Sequence, residues 1–126
     1  MIVLDSSGWL EYFGDGPYAD EFAARLRNPA NVLTPTVALY EVYKVAKRDR
    51  SEEEAIRAVA MMKKTQVVEL TEELALTAAD LSLAHGLSMA DSMMLAVAHA
   101  FDAELATTDA GFTGIDGVTV FSKKRS

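Results

Sequence analysis

The chain alternates short apolar runs with longer stretches whose apolar residues recur at helical spacing, and this alternation limits its fold more than any other feature. Ile2-Val3-Leu4 ends in Asp5, Ser6 and Ser7, after which Trp9, Leu10 and Phe13 share a helical face, so strand, turn and helix follow in order. Gly14 to Pro17 reads as a turn, and Tyr18 to Arg27 as a second helix running to the Asn28-Pro29 break. Val32-Leu33 is the next strand, and Pro35 opens a third helix that carries Glu41 and lasts to the polar Lys47 to Arg50 stretch. Ser51 with Glu54 has capping-box spacing and starts a fourth helix through Met61 and Met62. Gln66 to Leu70 is a third strand. Thr71 to His85, stopped by Gly86, makes a fifth helix, and Ser88 caps a sixth that ends near Phe101. Glu104 to Thr107 and Val118 to Phe121 complete the strands, ahead of a basic tail of Lys123, Lys124 and Arg125. The alternation predicts an α/β sandwich on a mostly parallel sheet of about four or five short strands, in one domain over residues 1–126.

Half of the residues are hydrophobic, enough for a proper core, and the absence of cysteine excludes both a disulfide framework and a thiolate metal site. A reducing, cytoplasmic setting is expected. The opening lacks a basic leader, and no apolar window has the length of a membrane helix. A net charge of -7 argues against nucleic-acid binding by bulk electrostatics. Acids gathered in one cleft act differently, because the cations they bind present positive charge to a phosphate.

Four acids are candidates for such a cleft. Asp5 and Asp109 follow strands, and in open parallel sheets ligands bind outside the strands' carboxyl ends. Asp91 lies in the first turn of a helix that is otherwise almost wholly Ala, Met, Leu, Val and Phe, where an unpaired carboxylate costs several kcal/mol. Glu41 shares an apolar stripe with Val37 and Val45, although Lys44 could pair with it. Taken singly, each acid has an ordinary reading as a cap, a turn former or a dipole complement. Together, at separations of about 4 Å, they would repel by roughly 4 kcal/mol per close pair, which is tolerated mainly where cations bind. All-oxygen ligation selects Mg2+ or Mn2+ over zinc, for which His85 and His99 show no ligand spacing. His85 reads as a helix-end cap and His99 as a packed core residue.

On these residues the chain resembles PIN domains, specifically VapC-type toxins of toxin-antitoxin pairs, over nearly its whole length. Met1 to Ser7 resembles the family's opening strand with its first Asp, Glu41 its helical Glu, Gly86 to Asp91 the stretch of the third acid, and Leu105 to Phe112 the strand and turn of the fourth. Many relatives place a second acid before that Phe, where Gly111 stands here. The resemblance implies a PIN-like three-layer sandwich and a Mg-dependent endoribonuclease, with Asp5, Asp91 and Asp109 holding one or two ions and Glu41 orienting water. Ser7 and Thr107 would be the hydrogen-bonding support at the cofactor site. It also implies an RNA substrate, a small antitoxin partner and a homodimer. Lys44, Lys47, Arg48 and the Lys123 to Arg125 tail are candidate guides for RNA. Tyr40, Tyr43, Met61 and Met62 are candidate interface residues.

Other classes fit less well. A phospho-accepting receiver needs adjacent acids after the first strand, where Asp5 is followed by Ser6, and a haloacid-dehalogenase-like phosphatase needs an acid where Ser7 stands. A PIN-like module that binds RNA or protein without cleaving is the main alternative.

Overall fold

The structure, a computed structural model, describes residues 1–121. Five strands form one parallel sheet: β1 (Ile2–Leu4), β2 (Val32–Pro35), β3 (Gln66–Val68), β4 (Glu104–Thr107) and β5 (Val118–Val120), in the order β3-β2-β1-β4-β5. Six helices flank it: α1 (Ser6–Phe13), α2 (Ala19–Arg25), α3 (Thr36–Asp49), α4 (Glu52–Met62), α5 (Glu72–His85) and α6 (Met89–Ala100). Central β1 is apolar at every position because both of its faces are covered, as parallel strands require. Val3 pairs with Leu33 on one side and Leu105 on the other.

The chain builds outward from β1 through β2 to β3, then returns across β1 to add β4 and β5. Right-handed crossovers consequently put α1 to α4 on one face and α5 and α6 on the other. Packing agrees, with α1 against α2 and α3, α3 against α4, and α5 against α6. The connections out of β1 and β4 diverge, which opens a crevice at the carboxyl ends of these two neighbours.

Local chemistry sets the element ends. Asp5, Ser51, Thr71 and Ser88 each accept a backbone N–H as N-caps, worth about 1 kcal/mol apiece. Gly86, at φ +69°, ends α5 in the left-handed region that only glycine adopts without strain, and the chain bends by 113° into α6. No single helix is long and apolar enough to cross a membrane among the described residues. Gly8 lies so close to Phe22 that a Cβ there would come within 2.7 Å of the ring, which seats α2 on α1.

Two expectations are corrected. Met62 is wholly buried, because Ala55, Ala58 and Met62 form the inner face of α4, leaving Met61 on its surface. His99 is exposed: the buried stretch of α6 ends at Ala98. The basic tail at Lys123 to Arg125 lies outside the described residues.

Candidate active site at the sheet crevice

Asp5 leaves β1 at the crevice and caps α1. Its Oδ1 accepts from Ser7 Oγ at 2.7 Å and from Gly8 N at 3.0 Å, while its Oδ2 accepts from Thr107 Oγ1 at 2.7 Å. A carboxylate offers about four acceptor positions, so these bonds leave one, on Oδ2. The residue is 1% exposed. Burial pushes its carboxyl up to about 6 against the pull of the three hydrogen bonds, and the charge of Asp109 adds to the rise.

Thr107, the last residue of β4, also receives the Asp109 N–H at 2.9 Å. Ser7 Oγ receives the Thr108 N–H at 3.0 Å and lies 3.1 Å from Thr107 Oγ1. The two hydroxyls therefore lock the β4 turn onto the end of β1. Asp109 Oδ1 accepts from Gly111 N at 2.8 Å, which closes the turn that aims its side chain.

Asp91 approaches from the opposite face. Ser88 Oγ accepts the Asp91 N–H at 3.2 Å, so the cap fixes the first turn of α6 and with it the half-buried carboxyl. That carboxyl is pushed up to about 7, first by burial, then by a hydrogen bond with the Asp109 carboxyl and by the charges of Asp109, Asp5 and Glu41.

Glu41 joins from α3, held by Ser6 Oγ, which donates to its Oε1 at 2.6 Å. The pairing with Lys44 that the sequence allows does not form: Lys44 Nζ sits over the Tyr40 ring, 5.1 Å from its centre. Ser6 was not singled out from the sequence, since nothing local marks a contact 35 positions away. Glu11 was also missed; it is buried in α1 and accepts the Tyr18 N–H at 2.7 Å, a structural brace for the α1 to α2 turn.

The fold thus brings the charges of Asp5, Glu41 and Asp109 to bear on Asp91, with no cationic side chain among the described residues acting on Asp5 or Asp91. Oxygen donors of this kind suit a hard divalent ion. As they stand, no three acids or histidines among the described residues form a set that would hold one. Asp5 turns three of its acceptor positions inward, and burial and the neighbouring acids hold a proton on Asp91 well above the ordinary carboxylate range. A metal would compete with that proton for the same oxygens.

An all-parallel α/β fold with acids at its strand-order switch defines a class of domain, and the family follows from it. Residues 2–118 match the family model of the PIN domain, and the chain belongs to that family. No curated protein matches the sequence. Among solved structures, a toxin-antitoxin complex from Klebsiella pneumoniae contains a similar chain at TM-score 0.79 and 21% identity, with 97% of this chain and 99% of that one covered. VapC20 of Mycobacterium tuberculosis, a toxin that cleaves the sarcin-ricin loop, matches at 0.77 and 22% identity over 95% and 98%. VapBC2 of Rickettsia felis, bound to a DNA fragment from its promoter, matches at 0.74 and 16% identity over 97% and 98%. At these identities the likeness establishes the shared fold.

Proposed function

We propose that the protein is a divalent-metal-dependent endoribonuclease, the toxin of a VapBC-type pair, with Asp5, Glu41, Asp91 and Asp109 as its catalytic and metal-holding residues. One observation carries this reading: the charges of Asp109, Asp5 and Glu41 all bear on half-buried Asp91, with no cationic side chain among the described residues to offset them there. Mg2+, or Mn2+ in its place, would supply the missing charge and polarise both a phosphate oxygen and a water.

The chain's own groups divide the remaining work. Asp5 offers the outer position of Oδ2, its orientation fixed by Ser7, Gly8 and Thr107. Asp91 and Asp109 would offer further oxygens, Asp91 once its proton leaves. Glu41, held by a hydroxyl rather than by a cation, would orient a water for in-line attack. Lys47 and Arg48 are already paired with Glu52 and Asp49, so among the described residues of that helix Lys44 is the better guide for a phosphate.

RNA is favoured as substrate by the likeness to a toxin that cleaves the sarcin-ricin loop. A partner protein fits a cavity of about 430 Å³ between α1, α3 and α4, with Leu10, Phe13, Val42 and Met61 on its apolar walls and Arg50 and Arg57 at its rim. A second copy would find exposed Leu76 and Leu83 on α5 and Met89 at the start of α6.

Purified protein free of partner is expected to cleave RNA in Mg2+, to stop in EDTA, and to lose activity in Asp5→Asn and Asp91→Asn without unfolding. The alternative, a binding module, draws on Gly111 in place of a second acid in the β4 turn. It would be favoured by RNA binding without cleavage under any divalent ion.

A further inference from the structure

Adjacent serines at the start of α1 send their hydroxyls in different directions. Ser7 turns to Asp5, Thr107 and Thr108, while Ser6 reaches α3 and donates to Glu41 Oε1 at 2.6 Å. The divergence follows from helical geometry, in which successive residues are rotated by about 100°. The length is typical of a hydroxyl bonded to an ionised carboxylate, roughly twice as strong as a neutral pair.

Glu41 needs such a tether. It stands one and a half turns into α3, a helix that starts at the carboxyl end of β2, and its charge bears on Asp91. Among the described residues Glu41 has no ion pair, and Lys44 is engaged with Tyr40. A cation in place of Ser6 would hold Glu41 equally well but would cancel the charge that acts on Asp91. A hydroxyl fixes one oxygen, leaves the charge intact and leaves Oε2 facing elsewhere.

We infer that Ser6 is a positioning residue for the metal-dependent reaction, acting through Glu41: it aims the Glu41 carboxylate at the crevice without neutralising it. This role rests on the nuclease reading above. Because Ser6 directly follows Asp5, one turn of chain then orients two acids from different layers. Displacement of either would be felt at both.

The test compares wild type, Ser6→Ala, Ser6→Thr, Glu41→Gln and the Ser6→Ala/Glu41→Gln double variant by Mn2+ binding, followed through the free-ion electron paramagnetic resonance signal, and by RNA cleavage. Ser6→Ala should weaken Mn2+ binding or slow kcat by about 10-fold, the usual cost of losing a hydrogen bond behind a metal ligand. KM for RNA should hold, and the variant should stay folded with a melting temperature lower by only several degrees. Ser6→Thr, which keeps the hydroxyl, should restore both quantities, and Ser6→Ala should add nothing in the Glu41→Gln background. A wild type that binds Mn2+ together with a folded Ser6→Ala of unchanged affinity and kcat overturns the role of Ser6 alone. A wild type that binds no Mn2+ overturns the metal-site reading, and the role of Ser6 with it.

Discussion

Thr107 Oγ1 donates to Asp5 Oδ2 at 2.7 Å, a hydrogen bond between the ends of neighbouring strands whose residues lie 102 positions apart. Both partners are buried, so the bond does more than orient a carboxylate: it ties the carboxyl end of β1 to that of β4. Thr107→Val keeps the shape and strands that oxygen. A loss of about 1–3 kcal/mol is expected in urea unfolding at pH 7, with a smaller loss at pH 5, where a protonated Asp5 needs the donor less. Equal stability of variant and wild type at pH 7 would contradict the assignment.

Stability without metal should fall as pH rises. Asp5 and Asp91 titrate near 6 and 7 in the folded protein against an ordinary 3.8, so the folded state holds protons that the unfolded chain has released. The stability this confers is complete below the unfolded value and disappears as pH climbs through 6 and 7. For Asp5 the rise to about 6 corresponds to about 3 kcal/mol, and half-exposed Asp91 adds less because water screens it. Urea midpoints in EDTA should be lower at pH 8 than at pH 5.5, and Mg2+ should recover more at pH 8. A midpoint that rises with pH in EDTA would contradict this.

Asp91→Asn separates stability from activity. Removing the charge relieves repulsion from Asp109, Asp5 and Glu41, so the metal-free variant should unfold about 1 kcal/mol later than wild type at pH 8. The same change should abolish cleavage. Destabilisation at pH 8 would show that Asp91 serves the fold rather than the crevice.

Gly111 bears on Asp109 directly. A Cβ there would lie 3.1 Å from Asp109 Oδ1, tighter than ordinary contact, and Gly111 is not among the positive-φ glycines, so alanine meets no backbone strain. Gly111→Ala should therefore lower cleavage several-fold while leaving the melting temperature nearly unchanged. Loss of stability without loss of rate would reverse that reading.

The cavity between α1, α3 and α4 yields a separate expectation. Met61→Glu places a charge on its apolar wall at a site already 38% exposed, so the fold should hold. Inhibition by a co-expressed antitoxin should weaken, while cleavage by the isolated protein stays intact. Unimpaired inhibition would move the partner's seat elsewhere.

Much of the fold was legible because strand and helix periods differ and the caps are chemically distinct. Ser51, Thr71 and Ser88 marked helix starts, and Gly86 marked a stop that its positive φ explains. Asp5 and Asp109 were legible from topology alone, since a parallel sheet places the ends of β1 and β4 side by side. What escaped was tertiary. The Ser6 bond to Glu41 depends on how α1 crosses α3, and the buried Glu11 depends on the backbone of Tyr18. His99 read as a core residue because α6 is apolar overall, yet burial follows faces and ends rather than composition. Met62 was decipherable from its spacing to Ala55 and Ala58, and pairing it with Met61 obscured that.

Anomalous diffraction from crystals soaked in Mn2+ at pH 8 tests most directly whether this crevice holds a metal. A peak should appear between Asp5, Asp91 and Asp109, with Ser7 and Thr107 still hydrogen-bonded to Asp5. No peak there at saturating Mn2+ would contradict the metal site and the nuclease activity derived from it.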